Sequence, residues 1–481
     1  MQALSLQELS IRARQVQDGW AQSTPYVRAS FLRELHKVVL DHAEEIMDSI
    51  QMETGKTRRN AYDEVLDVAQ TAGYYARRAP GILRAERRHG MVPALTKSKV
   101  YHRPYGVVGI ICPWNFPFSL VLADAIAALA AGNAVILKPS PLCAATARLA
   151  VKLLKTAGIP EELVILANED DWNMSTPELG QWMAKECDYI LMTGSAKSAA
   201  IVSGYCAAAH TPFSAELGGK NPMIISATAD LDLAVAGALS SCFDHAGQVC
   251  MSTERIYVES SAYDEFLQKF IGAAKGLRLG ADKSWETDMG SLINTQHLKK
   301  VDDMVQAAKA EGATIALGGH PLPHLGPAFY APTIITGARE DMAIAREEVF
   351  GPVVVVMPVA DMPEAIRRSN HSPYGLAASI YGHPRFCRAA AKQLRVGTVT
   401  INAPYRLGWA SLDTPMGGFG LSGHGRRHAK EGILRFCAET AVTAPRFLGA
   451  SRVLFGGKGI STKEEAATMA KLVHLRAQFF G

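Results

Sequence analysis

From Gly106 onward the chain alternates short apolar runs with helical stretches, and few folds accept that pattern. The runs Val107–Ile111, 134–137, 163–166 and 189–192 have the length of buried strands, and the intervals Ser119–Ala131, 142–157 and Ala196–Ala209 carry helical spacing. Strands that alternate with helices build βαβ units and a parallel sheet covered on both faces. A second alternating block begins at 222–225, continues through 255–258 and 353–357, and ends near 399–401, so a second α/β domain is expected. The first eighty residues read as packed helices, as over 26–51, where Phe31, Leu32, Leu35, Val38, Val39 and Leu40 recur at helical spacing. Residues 97–102 read as a strand leaving the first domain, and 449–481 as a loop and one helix (463–479) of unknown purpose.

At 481 residues the chain is too long for one core and suggests two or three domains of roughly 100 to 200 residues each. A net charge of +4, with basic and acidic residues interspersed, gives no nucleic-acid footprint. Eight cysteines are scattered without a CxxC or a Cys/His metal spacing, so no metal is expected and a reducing compartment is the default. The start lacks a basic stretch followed by an unbroken apolar one, so no signal peptide is expected. The longest apolar tract, 107–137, is interrupted by Pro113, Asn115, Pro117, Asp124, Gly132 and Asn133, which excludes a membrane span there. A cytoplasmic protein without membrane partners is the expectation.

Chemistry enters at Cys250, in Gly247-Gln248-Val249-Cys250, and at Glu216, thirty-four positions upstream, just before Gly218-Gly219-Lys220-Asn221-Pro222. A lone cysteine is usually a small core hydrophobe. A soft nucleophile with a carboxylate base is, however, what oxidation of an aldehyde through a covalent intermediate needs. Together with Pro113-Trp114-Asn115-Phe116-Pro117, Lys138-Pro139-Ser140 and Glu347-Glu348-Val349-Phe350-Gly351-Pro352 in the same order, the chain resembles the aldehyde dehydrogenase superfamily from about Asp18 to about Val442.

The resemblance implies an α/β fold with a Rossmann-type dinucleotide-binding domain (1–84 and 105–217), a second α/β catalytic domain (218–420) and a small β oligomerisation arm (85–104 and 430–448). In that family the segment at 97–102 pairs with residues near 438–442 of a neighbouring subunit, which implies a homodimer or homotetramer. Family members usually begin with a longer segment carrying an early hairpin, so a short start is expected. Catalysis falls to Cys250 as nucleophile, passing through a thiohemiacetal and a thioester, and to Glu216 as general base. Asn115, in a loop stiffened by two prolines, would donate to the oxyanion together with the Cys250 backbone N–H.

The cofactor implied is NADP or NAD. Trp114 would border it, Lys138 would meet the adenosine ribose, Ser140 beside it would also bind the cofactor, and Gly194 and Ser195 would face the pyrophosphate at a helix start. Glu348 and Phe350 would hold the nicotinamide ribose and flank its ring, and Leu217 would also bind the cofactor. Pro141 stands where NAD-preferring members often place Glu, which leans the choice towards NADP. Ala199 replaces a usual Gly, and Asn168-Glu169-Asp170-Asp171-Trp172 replaces a Gly-rich turn. Those acids disfavour a 2′-phosphate, and the choice stays open.

The segment 213–225, the block 288–293 and the run 415–428 look most like the succinate-semialdehyde dehydrogenase branch. A substrate carboxylate needs a cation, since burying it unpaired costs several kcal/mol. Arg406 is the candidate, for arginine's bidentate fork. Tyr405 and Trp409 beside it suit the alternative, an aromatic or medium-chain aldehyde. A non-catalytic relative would be favoured by loss of Cys250, Glu216 or Asn115, and all three are present. Acylating relatives typically lack the carboxylate, so Glu216 predicts hydrolysis to a free acid.

Overall fold

The structure is a computed structural model that describes residues 5–90, 92, 95–447, 449 and 462–480. Four helices open the chain: α1 (Leu6–Gln22), α2 (Pro25–Asp41), α3 (Ala43–Thr54) and α4 (Arg58–Ile82). A capping box between Ser5 and Glu8 starts α1, and the Thr24 side chain followed by Pro25 at the first helical position starts α2. The expected single pattern over 26–51 is two helices. His42 takes a non-helical φ/ψ of −105°/19° and closes α2 through an N–H to Val38 O bond of 3.1 Å.

Strands β1 (Glu86–Arg88) and β2 (Thr96–Pro104) pair antiparallel as a small arm. The first large sheet follows with β3 (Val107–Ile111), β4 (Ala134–Lys138), β5 (Val164–Leu166), β6 (Tyr189–Gly194) and β7 (Phe213–Leu217), ordered β5-β4-β3-β6-β7 and all parallel. Every residue of β3 and β4 is buried, as an apolar run in a doubly covered sheet should be. Helix α5 (Ser119–Ala131), between β3 and β4, is buried along its whole length.

A second sheet contains β8 (Asn221–Ile225), β9 (Thr253–Glu259), β10 (Thr314–Leu317), β11 (Thr333–Thr336), β12 (Val353–Val359), β13 (Ala377–Tyr381) and β14 (Thr398–Ile401). Its order is β10-β11-β12-β9-β8-β13-β14, parallel apart from the edge strand β10. The two sheets nucleate separate apolar cores. The chain then returns to the first sheet, where β15 (Gly423–His424) pairs antiparallel with β7 and sets Gly423 opposite Glu216.

Strand β16 (Cys437–Pro445) corrects the expectation for the arm. It pairs with β2 of its own chain, from Cys437 opposite Pro104 to Pro445 opposite Thr96. The reason lies just before it: Phe436 is fully buried, and its carbonyl accepts the Tyr105 N–H at 3.3 Å, so the chain emerges where β2 ends. The last helix spans Lys463–Phe480, one residue longer than expected, and 450–461 of the expected loop lie outside the described residues. No described helix is long and apolar enough to cross a membrane.

Candidate active site

The segment carrying Cys250 is folded against backbone preference. After helix Leu231–Phe243, His245 (φ 49°), Ala246 (φ 51°) and Gly247 (φ 71°) are left-handed in succession. Each non-glycine residue in that region costs on the order of 1 to 3 kcal/mol, so surrounding bonds must over-determine the loop. His245 N donates to Asn60 Oδ1 (3.0 Å), Gln248 Oε1 accepts from Ile293 N (2.9 Å), and Asn221 Nδ2 donates to the carbonyls of Cys250 and Ser252 (both 2.8 Å). Gly247 is required twice over, because a Cβ there would stand 2.0 Å from Gly351 O.

Cys250 lies where two cavities meet. One is lined by Trp114, Asn115, Gly194, Ser195, Glu216, Leu217, Glu348 and Phe350, eight residues singled out in the sequence. Burial pushes the Cys250 thiol up to about 12, with Arg427 pulling the other way. Glu216, at the end of β7, is raised to about 7 by burial, opposed by Arg427 and Arg435, and neither carboxylate oxygen has a hydrogen-bond partner. Asn115 is buried and donates from Nδ2 to Gln248 O at 3.0 Å. That bond uses one of its two amide hydrogens and fixes the plane of the other.

Glu348 is held by an N–H bond from Gly219 (2.9 Å) and raised to about 7, first by burial and then by Glu254. It approaches the backbone so closely that a Cβ on Gly218 would meet its Oε2 at 2.1 Å. Phe350 is left-handed (φ 58°). Its N–H bonds Glu254 Oε1 (2.9 Å), its carbonyl meets His297 Nε2 (2.7 Å), and its ring meets Trp114 edge-on at 5.5 Å. Glu254 in turn is ion-paired with Lys220 at 2.6 Å, both side chains fully enclosed.

Lys138, Ser140 and Pro141 sit at the carboxyl end of β4 and are not among the residues lining that cavity. Lys138 Nζ is 2.9 Å from Glu169 Oε1, Ser140 caps the 3-10 turn Pro141–Cys143, and the acidic run that replaces the family's Gly-rich turn forms the short helix Glu169–Trp172. Ser195 caps helix Ala196–Ala209, its hydroxyl accepting from Ser198 N at 3.1 Å. The carboxyl ends of parallel strands are where this class of sheet binds dinucleotides.

Residues 4–442 match the aldehyde dehydrogenase family. The chain belongs to that family. A Mycolicibacterium smegmatis protein named as a candidate NADP(+)-linked succinate-semialdehyde dehydrogenase is 41% identical over 441 residues, 91% of this chain and 84% of that one. A Methylomonas 4,4′-diapolycopene aldehyde oxidase is 35% identical, covering 90% of this chain and 80% of its own. The solved betaine aldehyde dehydrogenase of Staphylococcus aureus in complex with NAD+ is 33% identical with a TM-score of 0.84, over 92% of this chain and 88% of that one.

In this aldehyde dehydrogenase the second cavity is lined by Phe116, Val249, Cys250, Tyr405, Arg406 and Trp409, with Asp63, Asp67 and Asp244 on its wall. The three substrate-side candidates therefore share one cavity. Arg406 is already engaged, its Nε donating to Asp244 Oδ2 (2.6 Å) and its Nη1 to Asp63 Oδ1 (2.9 Å). Trp409 stacks on Phe116 (6.1 Å, 23°) and donates to Asp67 Oδ1 at 2.8 Å.

Sequence reasoning missed Asn221, Gln248, Asp63, Asp244, Arg427 and Arg435. Asn221 and Gln248 lay inside recognised runs as unassigned amides. Asp124 offered a further signal, since an acid within a buried apolar helix demands a partner.

Proposed function

We propose that this enzyme oxidises an aldehyde to the free carboxylic acid with NAD or NADP, and one observation carries the reading: Cys250 stands at the junction of two cavities, one of which also holds Glu216 and Asn115. Glu216 takes the Sγ proton, the thiolate attacks the aldehyde carbon, and the free Asn115 N–H with the Cys250 backbone N–H receives the developing oxyanion. A nicotinamide held there would supply the hydride acceptor. Cys250 is left as a thioester, which a water deprotonated by Glu216 hydrolyses. Glu348 and Phe350 would hold the nicotinamide end, and Lys138 with Ser140 the adenosine end.

Succinate semialdehyde is the substrate named for the Mycolicibacterium relative and is the first reading here. A second reading, an aromatic or medium-chain aldehyde, is favoured by the double engagement of Arg406 and the Phe116–Trp409 stack. Comparing kcat/KM for succinate semialdehyde, benzaldehyde and hexanal, each with NAD and NADP, tests both. Excess efficiency on succinate semialdehyde supports the first reading, preference for the apolar aldehydes selects the second, and no cofactor reduction with any aldehyde contradicts the proposal. The two separate cores support the partition into a cofactor domain (1–84, 105–217) and a catalytic domain (218–420). Eight unpaired cysteines support a reducing, cytoplasmic location. The arm of 85–104 and 430–448 is proposed to join subunits into a homodimer or homotetramer.

A further inference from the structure

Behind Glu216, four charged side chains from four parts of the chain converge, and two of them, Glu216 and Arg427, also line one of the cavities that meet at Cys250. Asp124, in the otherwise apolar α5, accepts from Arg427 Nη2 at 2.5 Å and from Arg435 Nη2. Arg435 Nη1 reaches back to Glu216 Oε1 at 3.6 Å, and Arg427 Nη2 also donates to Thr193 Oγ1 at 3.2 Å, opposite Glu216 in the β6–β7 register. All four side chains are 7% exposed or less. Two guanidinium groups against the Asp124 carboxylate leave one positive charge over. An ionised Glu216 balances it within the four.

A small cavity of about 10 Å³ lies against the same cluster, lined among others by Thr71, Tyr75, Asp124, Arg427, His428 and Arg435. That is room for about one water, which needs two to four polar partners. Five enclosed polar atoms without hydrogen-bond partners belong to residues on its wall: Thr71 Oγ1, Arg427 Nε, His428 Nδ1, and Arg435 Nε and Nη1. His428 is pushed down to about 3 by burial and the two arginines, so its ring is neutral and able to accept from a water.

We propose that Asp124, Arg427 and Arg435, hydrated by one internal water, are positioning residues that supply the counter-charge for the Glu216 carboxylate. The inference rests on Glu216 being the base. Facing Glu216 are Arg426 and Arg427 after β15, Arg435 after helix Ala429–Leu434, Asp124 from α5 and the Cys250 thiol. Burial alone would keep the acid protonated, and the surplus positive charge offsets it. The sign follows directly. Removing an arginine's charge raises the pH at which Glu216 ionises, and removing the charge of Asp124 lowers it.

Deacylation rate against pH, measured in single-turnover experiments on the full-length enzyme, tests this with Asp124→Asn, Arg435→Gln and the double variant. The expected acid-limb midpoint moves down by roughly one pH unit for Asp124→Asn and up by roughly one for Arg435→Gln, about tenfold in rate on that limb, and the double variant returns near wild type. Shifts in the same direction, or none, overturn the proposal, since a purely structural loss has no reason to change sign. If Glu216→Gln deacylates at the wild-type rate, the base assignment itself fails, which is a separate result. Should a cluster variant not fold, difference infrared spectra of wild type minus Glu216→Gln read the carboxyl directly. Ionisation near pH 7 supports the cluster, and a carboxyl still protonated at pH 9 overturns it. A crystal structure with a water bonded to Thr71 Oγ1 and His428 Nδ1 supports the hydrated part, and an empty cavity there overturns that part.

Discussion

The Cys250 thiol, raised to about 12 by its burial, is unreactive at neutral pH until a base removes its proton. Glu216, raised to about 7, is the carboxylate lining the same cavity that titrates near working pH, with Glu348 the other but bonded to Gly219 N. The carboxylate is the active form of a base, so deacylation is expected to fall tenfold per unit as pH drops below about 7, checked by single-turnover rates. Cys250→Ala is expected to abolish cofactor reduction. Asn115→Ala is expected to lower kcat by about 10² to 10³, the effect of deleting one oxyanion donor, while the thermal midpoint stays within a few degrees. An unchanged kcat would remove Asn115 from the oxyanion site. Cys250, Glu216 and Asn115 were legible because each sits in a distinctive run of neighbours. The engagement of Arg406 by Asp63 and Asp244 was not, because those partners lie 343 and 162 positions away and no local pattern announces them.

Strands β3, β4, β5 and β6 were legible because a strand buried on both faces must be a short apolar run. Edge strand β10 was not, since one of its four residues is exposed, three are only partly buried, and none is fully enclosed. The shape of the Cys250 loop is likewise invisible to pattern reading, as its left-handed run at His245–Gly247 is held by the His245 N–H on Asn60 and flanked by the bonds of Gln248 with Ile293 and of Cys250 with Asn221 rather than set by local preference. Gly247→Ala sets a Cβ 2.0 Å from the Gly351 carbonyl oxygen at a φ of 71°. The expected outcome is a kcat loss of at least tenfold and a destabilisation of about 1 to 3 kcal/mol, measured by steady-state kinetics and urea unfolding. Wild-type values in both would show that the loop does not need its glycine.

Across the molecule, the two sheets share one site because the chain crosses between them twice: β7 delivers Glu216 from the first, β8 follows at once in the second, and β15 returns to back Glu216. The buried Lys220–Glu254 pair ties that crossing to Val349 and Phe350, whose N–H groups Glu254 also accepts at 2.9 Å. Breaking it by Lys220→Met strands a carboxylate and is expected to cost about 3 to 5 kcal/mol in urea unfolding, against near-zero loss if the pair were incidental. The central claim is the covalent intermediate on Cys250 and its hydrolysis by Glu216. Rapid-quench mass spectrometry of Glu216→Gln mixed with aldehyde and cofactor tests it most directly. The account predicts one equivalent of reduced cofactor in a burst and an acyl adduct accumulating on the Cys250 peptide; no burst and no adduct, or wild-type steady turnover, would contradict it.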